Sequence, residues 1–147
     1  MKVRRNKERG ANLVEFALIA PLLIMLVMGI IDFGWILSTQ QDVRHGAREA
    51  ARLAAVNAGT TTAMATMVCD AMNVSSGAEV TFSYTGAAAI GNSATVVLEA
   101  PVTSLTGFAT LPFANAIYPS TFSETVNFRL EQPATWPPGP TTEAPCP

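Results

Sequence analysis

The chain opens polar and then turns abruptly apolar. Residues 16–31, FALIAPLLIMLVMGII, run sixteen positions without a polar side chain, and after Asp32 the stretch FGWIL carries the apolar character to Leu37. A membrane-spanning helix needs about 20 mostly apolar residues, and Leu13 to Leu37 supplies them with two acids, Glu15 and Asp32, included. Beyond Ser38 the pattern becomes amphipathic. Val43, Ala47, Ala50, Ala51, Ala54 and Ala58 recur at helical spacing, while Arg44, Arg48 and Arg52 form a polar stripe. No Pro interrupts residues 38–58. One helix is therefore expected to run from the apolar segment to about Asn57, with Gly59 as its C-terminal stop. Its length would be roughly 65–70 Å at 1.5 Å per residue.

The remainder has a different texture. Residues 61–72, TTAMATMVCDAM, predict a second, shorter helix. Alternation in AEVTFSYTG (78–86), ATVVLEAPV (94–102) and SETVNFRLE (123–131) predicts three strands, the first two joined by a Gly- and Asn-containing hairpin loop. Residues 103–120 read as a loop holding at most one helical turn. The end, QPATWPPGPTTEAPCP, has six Pro in sixteen residues and reads as an extended tail. The expected fold class is α+β: a long N-terminal helix, its first half membrane-spanning, with a small antiparallel sheet packed on its outer half. Three strands alone would be marginal, and the helix would supply the missing core. The organisation is a basic leader (1–10), a transmembrane helix (11–37), its extracytoplasmic continuation (38–58), a small α+β domain (59–132) and the Pro-rich tail (133–147).

Charge fixes an orientation. Residues 1–10 carry Lys2, Arg4, Arg5, Lys7 and Arg9 against Glu8, whereas the chain from Ser38 onward has four Arg, no Lys and eight acids. Positive residues before the span place the N-terminus in the cytoplasm and the C-terminal domain outside it. A cleaved secretory signal fits poorly, because the apolar run exceeds a usual signal core and ILSTQQD offers no small-x-small site. The net charge of −2 gives no reason to expect nucleic acid.

Chemistry-bearing clusters are scarce. His45 is the only histidine and sits on the Arg-rich helix, where a solvated side chain is expected. Cys69 and Cys146 have no metal-ligand spacing. Outside the cytoplasm an even pair predicts one disulfide between the tail and the end of the second helix, two free thiols being the alternative. No nucleophile elbow or phosphate loop is present. No cofactor, metal or small-molecule substrate is expected, nor a catalytic residue. Glu15 and Asp32 are about 26 Å apart along a helix, too far for joint acid–base work. That distance approaches the hydrocarbon thickness of roughly 30 Å, so each acid could sit at one interface. This is the expectation for Asp32. Glu15, directly after a basic cluster, asks for more.

The stretch RG-ANLVEFALIAPLL resembles the processing site of class III prepilin-like proteins. These have a short basic leader, a small residue, then a mature chain with Glu at its fifth position. Here Gly10 would end the leader, Ala11 would begin the mature chain, Glu15 would be fifth and Phe16 sixth. GANLVEFALIAPLLIMLVMGIIDFGWIL followed by QQDVRHGAREAARLAA resembles the TadE-like pseudopilins of the tight-adherence (Tad/Flp) pilus system. The resemblance covers residues 9–55. It rests on the Glu-Phe pair, Pro21, the GIIDFG box (Gly29, Asp32, Phe33 and Gly34 within it) and the Ala- and Arg-rich helix that follows. FRLE at 128–131 is similar to an Arg-x-Glu that often closes these domains.

The resemblance implies a minor pilin or pseudopilin in the bacterial inner membrane, cut by a prepilin peptidase between Gly10 and Ala11. Its partners would be that peptidase, other pilins, the Tad assembly machinery and membrane lipid. Glu15 would serve processing and assembly by pairing with an α-ammonium, Pro21 would bend or loosen the span, and the stripe from Ala47 to Ala58 would pack against neighbouring helices. It would be an assembly protein for adhesion and no enzyme. The alternative is an uncleaved single-pass anchor that presents a small extracytoplasmic binding module.

Overall fold

The computed structural model describes residues 5–73, 76–112, 118–143 and 146; Lys2, Arg4 and the other leader residues before Arg5 lie outside them. The elements in chain order are helix α1 (Arg5–Ala55), helix α2 (Thr61–Ala71), strands β1 (Glu79–Tyr84) and β2 (Ser93–Pro101), a 3-10 turn (Phe108–Thr110), and strands β3 (Thr121–Arg129) and β4 (Thr141–Glu143). The class is α+β, with one long N-terminal helix and a four-stranded antiparallel sheet of order β3-β2-β1-β4. The chain divides into two compact units. One comprises Met1–Trp35 with Ser104–Tyr118, the other Ile36–Thr103 with Pro119–Pro147.

In the second unit the sheet is built on two long registers. β1 pairs with β2 from Glu79↔Glu99 to Tyr84↔Ala94, and β2 with β3 from Ser93↔Arg129 to Pro101↔Thr121. Alternation sends Val80, Phe82 and Tyr84 of β1, and Ala94, Val96, Leu98 and Ala100 of β2, to one buried face. That face shares a core with Val43, Ala47, Ala50, Leu53 and Ala54 of α1 and with Met64, Ala65, Val68 and Cys69 of α2. Small residues on α1 are what this packing uses. The stripe read as a surface for neighbouring helices is already covered by the chain's own sheet and second helix: Ala47, Ala50 and Ala54 are wholly buried, and only Ala58 stays exposed. The Arg stripe points the other way. Arg44, Arg48 and Arg52 are exposed, with Arg44 3.7 Å from Glu124. The Arg52 guanidinium bonded to Glu49 holds that carboxyl below its ordinary range.

The end of α1 is set differently from expectation. It stops at Ala55, and Asn57 rather than Gly59 takes the left-handed turn, at φ 49°. Asn57 N–H donates to Ala54 O (3.1 Å) and Ala58 N–H to Leu53 O (3.0 Å), the two bonds of a Schellman cap. The last helical carbonyl, Ala55 O, accepts from Glu131 N and Gln132 N at 2.8 and 3.1 Å, so the chain leaving β3 closes the helix end. α2 begins with Thr60 as N-cap, its side chain accepting from Ala63 N.

The Pro-rich tail also departs from expectation, for it contributes a strand and a core residue. β4 pairs antiparallel with β1 (Val80↔Glu143, Phe82↔Thr141). Its three residues fall between Pro140 and Pro145, and it is the sheet's edge, where a proline-flanked strand needs only one ladder of partners. Trp136 is buried against Phe82 and Tyr84, and its carbonyl accepts from Tyr84 Oη at 2.9 Å. Cys69 and Cys146 form a disulfide with a Cα–Cα distance of 5.6 Å, which fixes the chain after β4 to α2.

Candidate functional site: an exposed helix and its two acids

From Gly10 to Ile31 almost every side chain of α1 is open. Leu13, Val14, Phe16, Leu18, Leu22, Leu23 and Ile30 are each more than half exposed, Leu18 to 76%. Water would not tolerate such a surface, since large contiguous apolar patches on soluble chains mark interfaces or membranes. α1 runs unbroken across Pro21. It is long and apolar enough to cross a bilayer, which fits a single-pass membrane anchor.

Gly10 and Ala11 are exposed and lie inside the helix, and among the described residues nothing beyond the local helix backbone comes within 4 Å of where a Gly10 Cβ would stand. Glu15 is exposed one turn further on, and so is Phe16 beside it. Nothing covers this stretch among the described residues: Leu13 to Ile19 all face outward.

Asp32 is placed quite differently. It is wholly buried (0% exposed), although its neighbours Ile31, Phe33 and Gly34 are open. Its Oδ1 accepts from Leu105 N (3.1 Å) and Thr106 N (2.8 Å), and its Oδ2 accepts from Ser104 Oγ (2.5 Å). One carboxylate thus anchors three successive residues of the segment between β2 and β3. Gly107, at φ 77°, then turns the chain into the 3-10 turn, which brings the Phe108 ring over Gly29. So the GIIDFG box divides: Gly29 and Asp32 face this segment, while Phe33 and Gly34 face outward. The sequence reading set Asp32 at a membrane interface without naming a partner, and the structure gives it a built protein seat. No sequence signal announces that pairing, because the partners are 72 to 74 residues away and two of the three donors are backbone amides.

Among the described residues there is no group of His, Cys, Asp and Glu arranged to hold a metal ion. His45 is exposed on the Arg face of α1.

Comparison with curated proteins and with solved structures gives no match. A family model does match the helix: residues 10–52, which contain Gly10, Ala11, Glu15 and the whole GIIDFG box, are similar to the family described as TadE-like protein.

Proposed function

We propose that this chain is a TadE-like minor pilin or pseudopilin, an assembly component of a Tad-type (Flp) adhesion pilus. A prepilin peptidase cuts it between Gly10 and Ala11. Residues 11–37 hold it in the inner membrane, and the sheet lies outside the cytoplasm. The observation that carries this reading is a basic leader that runs directly into the family match, which itself holds a bare apolar helix and an exposed acid five residues past the cut.

Each part has a physical reason. A peptide bond must be extended to enter a protease, so the helix has to open locally around Gly10. Glycine lowers that cost, being about 1 kcal/mol less favourable in a helix than alanine. The cut creates an α-ammonium on Ala11, one turn from Glu15. An ionised carboxylate in hydrocarbon is costly unless paired, and the ammonium of the same or a neighbouring subunit is the nearest opposite charge. Since the Ala47–Ala54 face is occupied by the chain's own core, contact with neighbouring pilins falls to the open surface between Leu13 and Ile31. The disulfide supports an oxidising compartment for the sheet. The role is one of assembly, and none of these features belongs to a catalyst.

The test is the intact mass and N-terminal sequence of membrane-extracted protein, with and without a co-expressed prepilin peptidase. A peptidase-dependent loss of residues 1–10, about 1.3 kDa, with Ala11 as the new terminus is expected. A chain still beginning at Met1 beside an active peptidase would leave a simple membrane anchor carrying an external module.

A further inference from the structure

We infer that the segment after β2, residues 104–112, is a second membrane contact, seated in the outer leaflet beside the span and held there by Asp32. This rests on residues 11–37 being the membrane span.

The first argument is depth. Phe108 Cε1 and Cζ lie 3.9 Å from where a Gly29 Cβ would stand. Gly29 belongs to the uninterrupted apolar run and is three residues, about 4.5 Å along the helix, closer to the bilayer centre than Asp32. A bilayer that covers the run up to Ile31 therefore covers the Phe108 ring as well.

The second argument is composition. From Ala100 to Ser123 the chain has no charged residue, the longest such stretch in the sequence, and Glu99 and Glu124 bound it. Leu105 is 61% exposed, and Phe108 pairs with Tyr118 at 6.4 Å between ring centres. Aromatic rings with a polar tip collect at the headgroup boundary.

The third argument is backbone satisfaction. Irregular backbone survives outside water only when its polar groups find partners within the protein. Here Leu105 N–H and Thr106 N–H donate to Asp32, Phe108 N–H to Thr106 Oγ1, Thr110 N–H to Gly107 O and Leu111 N–H to Phe108 O. The same bonds satisfy the carboxylate, so acid and loop each remove the other's cost of leaving water. Asp32 is on this account a positioning residue for a lipid-seated loop.

The test uses the full chain in phosphatidylcholine–phosphatidylglycerol vesicles, with an environment-sensitive fluorophore on Leu105→Cys and the native disulfide left closed. Ile30→Cys, on the span, is the reference. Brominated acyl chains are expected to quench both labels, and aqueous iodide neither. Quenching of the Leu105 label by iodide, with Ile30 still quenched by lipid, would overturn the proposal while leaving the span intact. If iodide reached Ile30 too, the span reading would fall and this one with it. A Leu105 label shielded from both quenchers would mean that protein covers the loop, and would overturn the proposal. Adding Asp32→Ala is expected to shift the Leu105 label from lipid to iodide quenching and leave Ile30 unchanged. Phe108→Asp, which keeps Asp32 and charges the ring position, is expected to do the same. Unchanged lipid quenching in both variants would remove Asp32 and Phe108 from the seating.

Discussion

Gly46 stands so close to Met72 that a Cβ placed on it would meet the Met72 sulfur at 2.6 Å, with a Leu98 methyl at 2.9 Å. The absence of a side chain there lets α1 approach β2 and the end of α2. Two effects oppose each other on substitution. Alanine is about 1 kcal/mol better than glycine in a helix interior, whereas overpacking a core costs about 1–3 kcal/mol. Both close atoms are the ends of flexible side chains, so Gly46→Ala should fall within about 1 kcal/mol of the parent by this balance. Gly46→Val adds a branched side chain with poor helix propensity and should lose about 2–3 kcal/mol. Denaturant unfolding followed by Trp136 fluorescence measures both. Equal stability for the two variants would contradict the close approach.

Asn57 gives a sharper pair. Its φ of 49° costs an ordinary L-residue about 1–2 kcal/mol, and glycine nothing. Its Oδ1 also accepts from Thr135 Oγ1 at 3.0 Å. Asn57→Ala should therefore destabilise by about 1–2 kcal/mol, and Asn57→Gly by less than half of that. The ordering Gly above Ala in thermal unfolding identifies the left-handed cap. The reverse ordering would return the stop to Gly59.

What could be read from the sequence, and what could not, divides along range. The long helix, α2 and the first three strands follow from local periodicity, because hydrophobic spacing is a property of neighbouring residues. The stripe of Val43, Ala47, Ala50 and Ala54 was equally visible as an apolar face, but its partner was not. Small residues permit close approach by any element, and only the fold decides that it is β1 and β2 rather than another subunit. β4 was hidden by the prolines on both sides of Thr141–Glu143, since three residues carry no period and the pairing partner is sixty residues back. Asp32 was marked out by its position in the apolar segment, yet the site it builds depends on Ser104, Leu105 and Thr106, whose sequence is unremarkable. Glu15 stands out in the sequence because its distance from Gly10 and from the basic cluster is a local relation.

The Cys69–Cys146 bond closes a separation of 77 residues and secures the short edge strand β4. Disulfides typically contribute about 2–4 kcal/mol, chiefly by restricting the unfolded chain. Cys69→Ser with Cys146→Ser should lower stability by about that amount and expose the segment after Glu131 to limited proteolysis first. The apolar part of α1 up to Trp35 lies in the other unit, and the chain should stay membrane-extractable as before. On non-reducing gels the parent should run faster than its reduced form. Identical mobility, with both thiols open to alkylation, would show that the bond does not form.

Trp136 carries an indole N–H that is buried without a hydrogen-bond partner among the described residues. A buried donor left unmade costs about 1–3 kcal/mol. Trp136→Phe removes that donor and keeps an aromatic body against Phe82 and Tyr84, so it should cost less than about 1.5 kcal/mol. Trp136→Ala empties the site and should cost about 3–5 kcal/mol. Chemical unfolding monitored by circular dichroism separates them. Equal losses would mean that the indole N–H finds a partner after all.

Glu15 offers the test closest to function. Its side chain is open on a helix, with the apolar Leu13, Val14, Phe16 and Ala17 around it. The span is long enough without it, so Glu15→Ala should insert in the membrane at parental levels. What it removes is a charge, together with any pairing to an α-ammonium created at Ala11. Glu15→Ala should therefore impair peptidase processing or entry into the pilus assembly, read by intact mass and by co-purification with other pilins. Glu15→Asp keeps the charge on a shorter stem and should be impaired less. Glu15→Gln keeps the shape without the charge and should resemble alanine. A Glu15→Gln chain that is cut and assembled like the parent would make the acid an interfacial residue with no part in assembly.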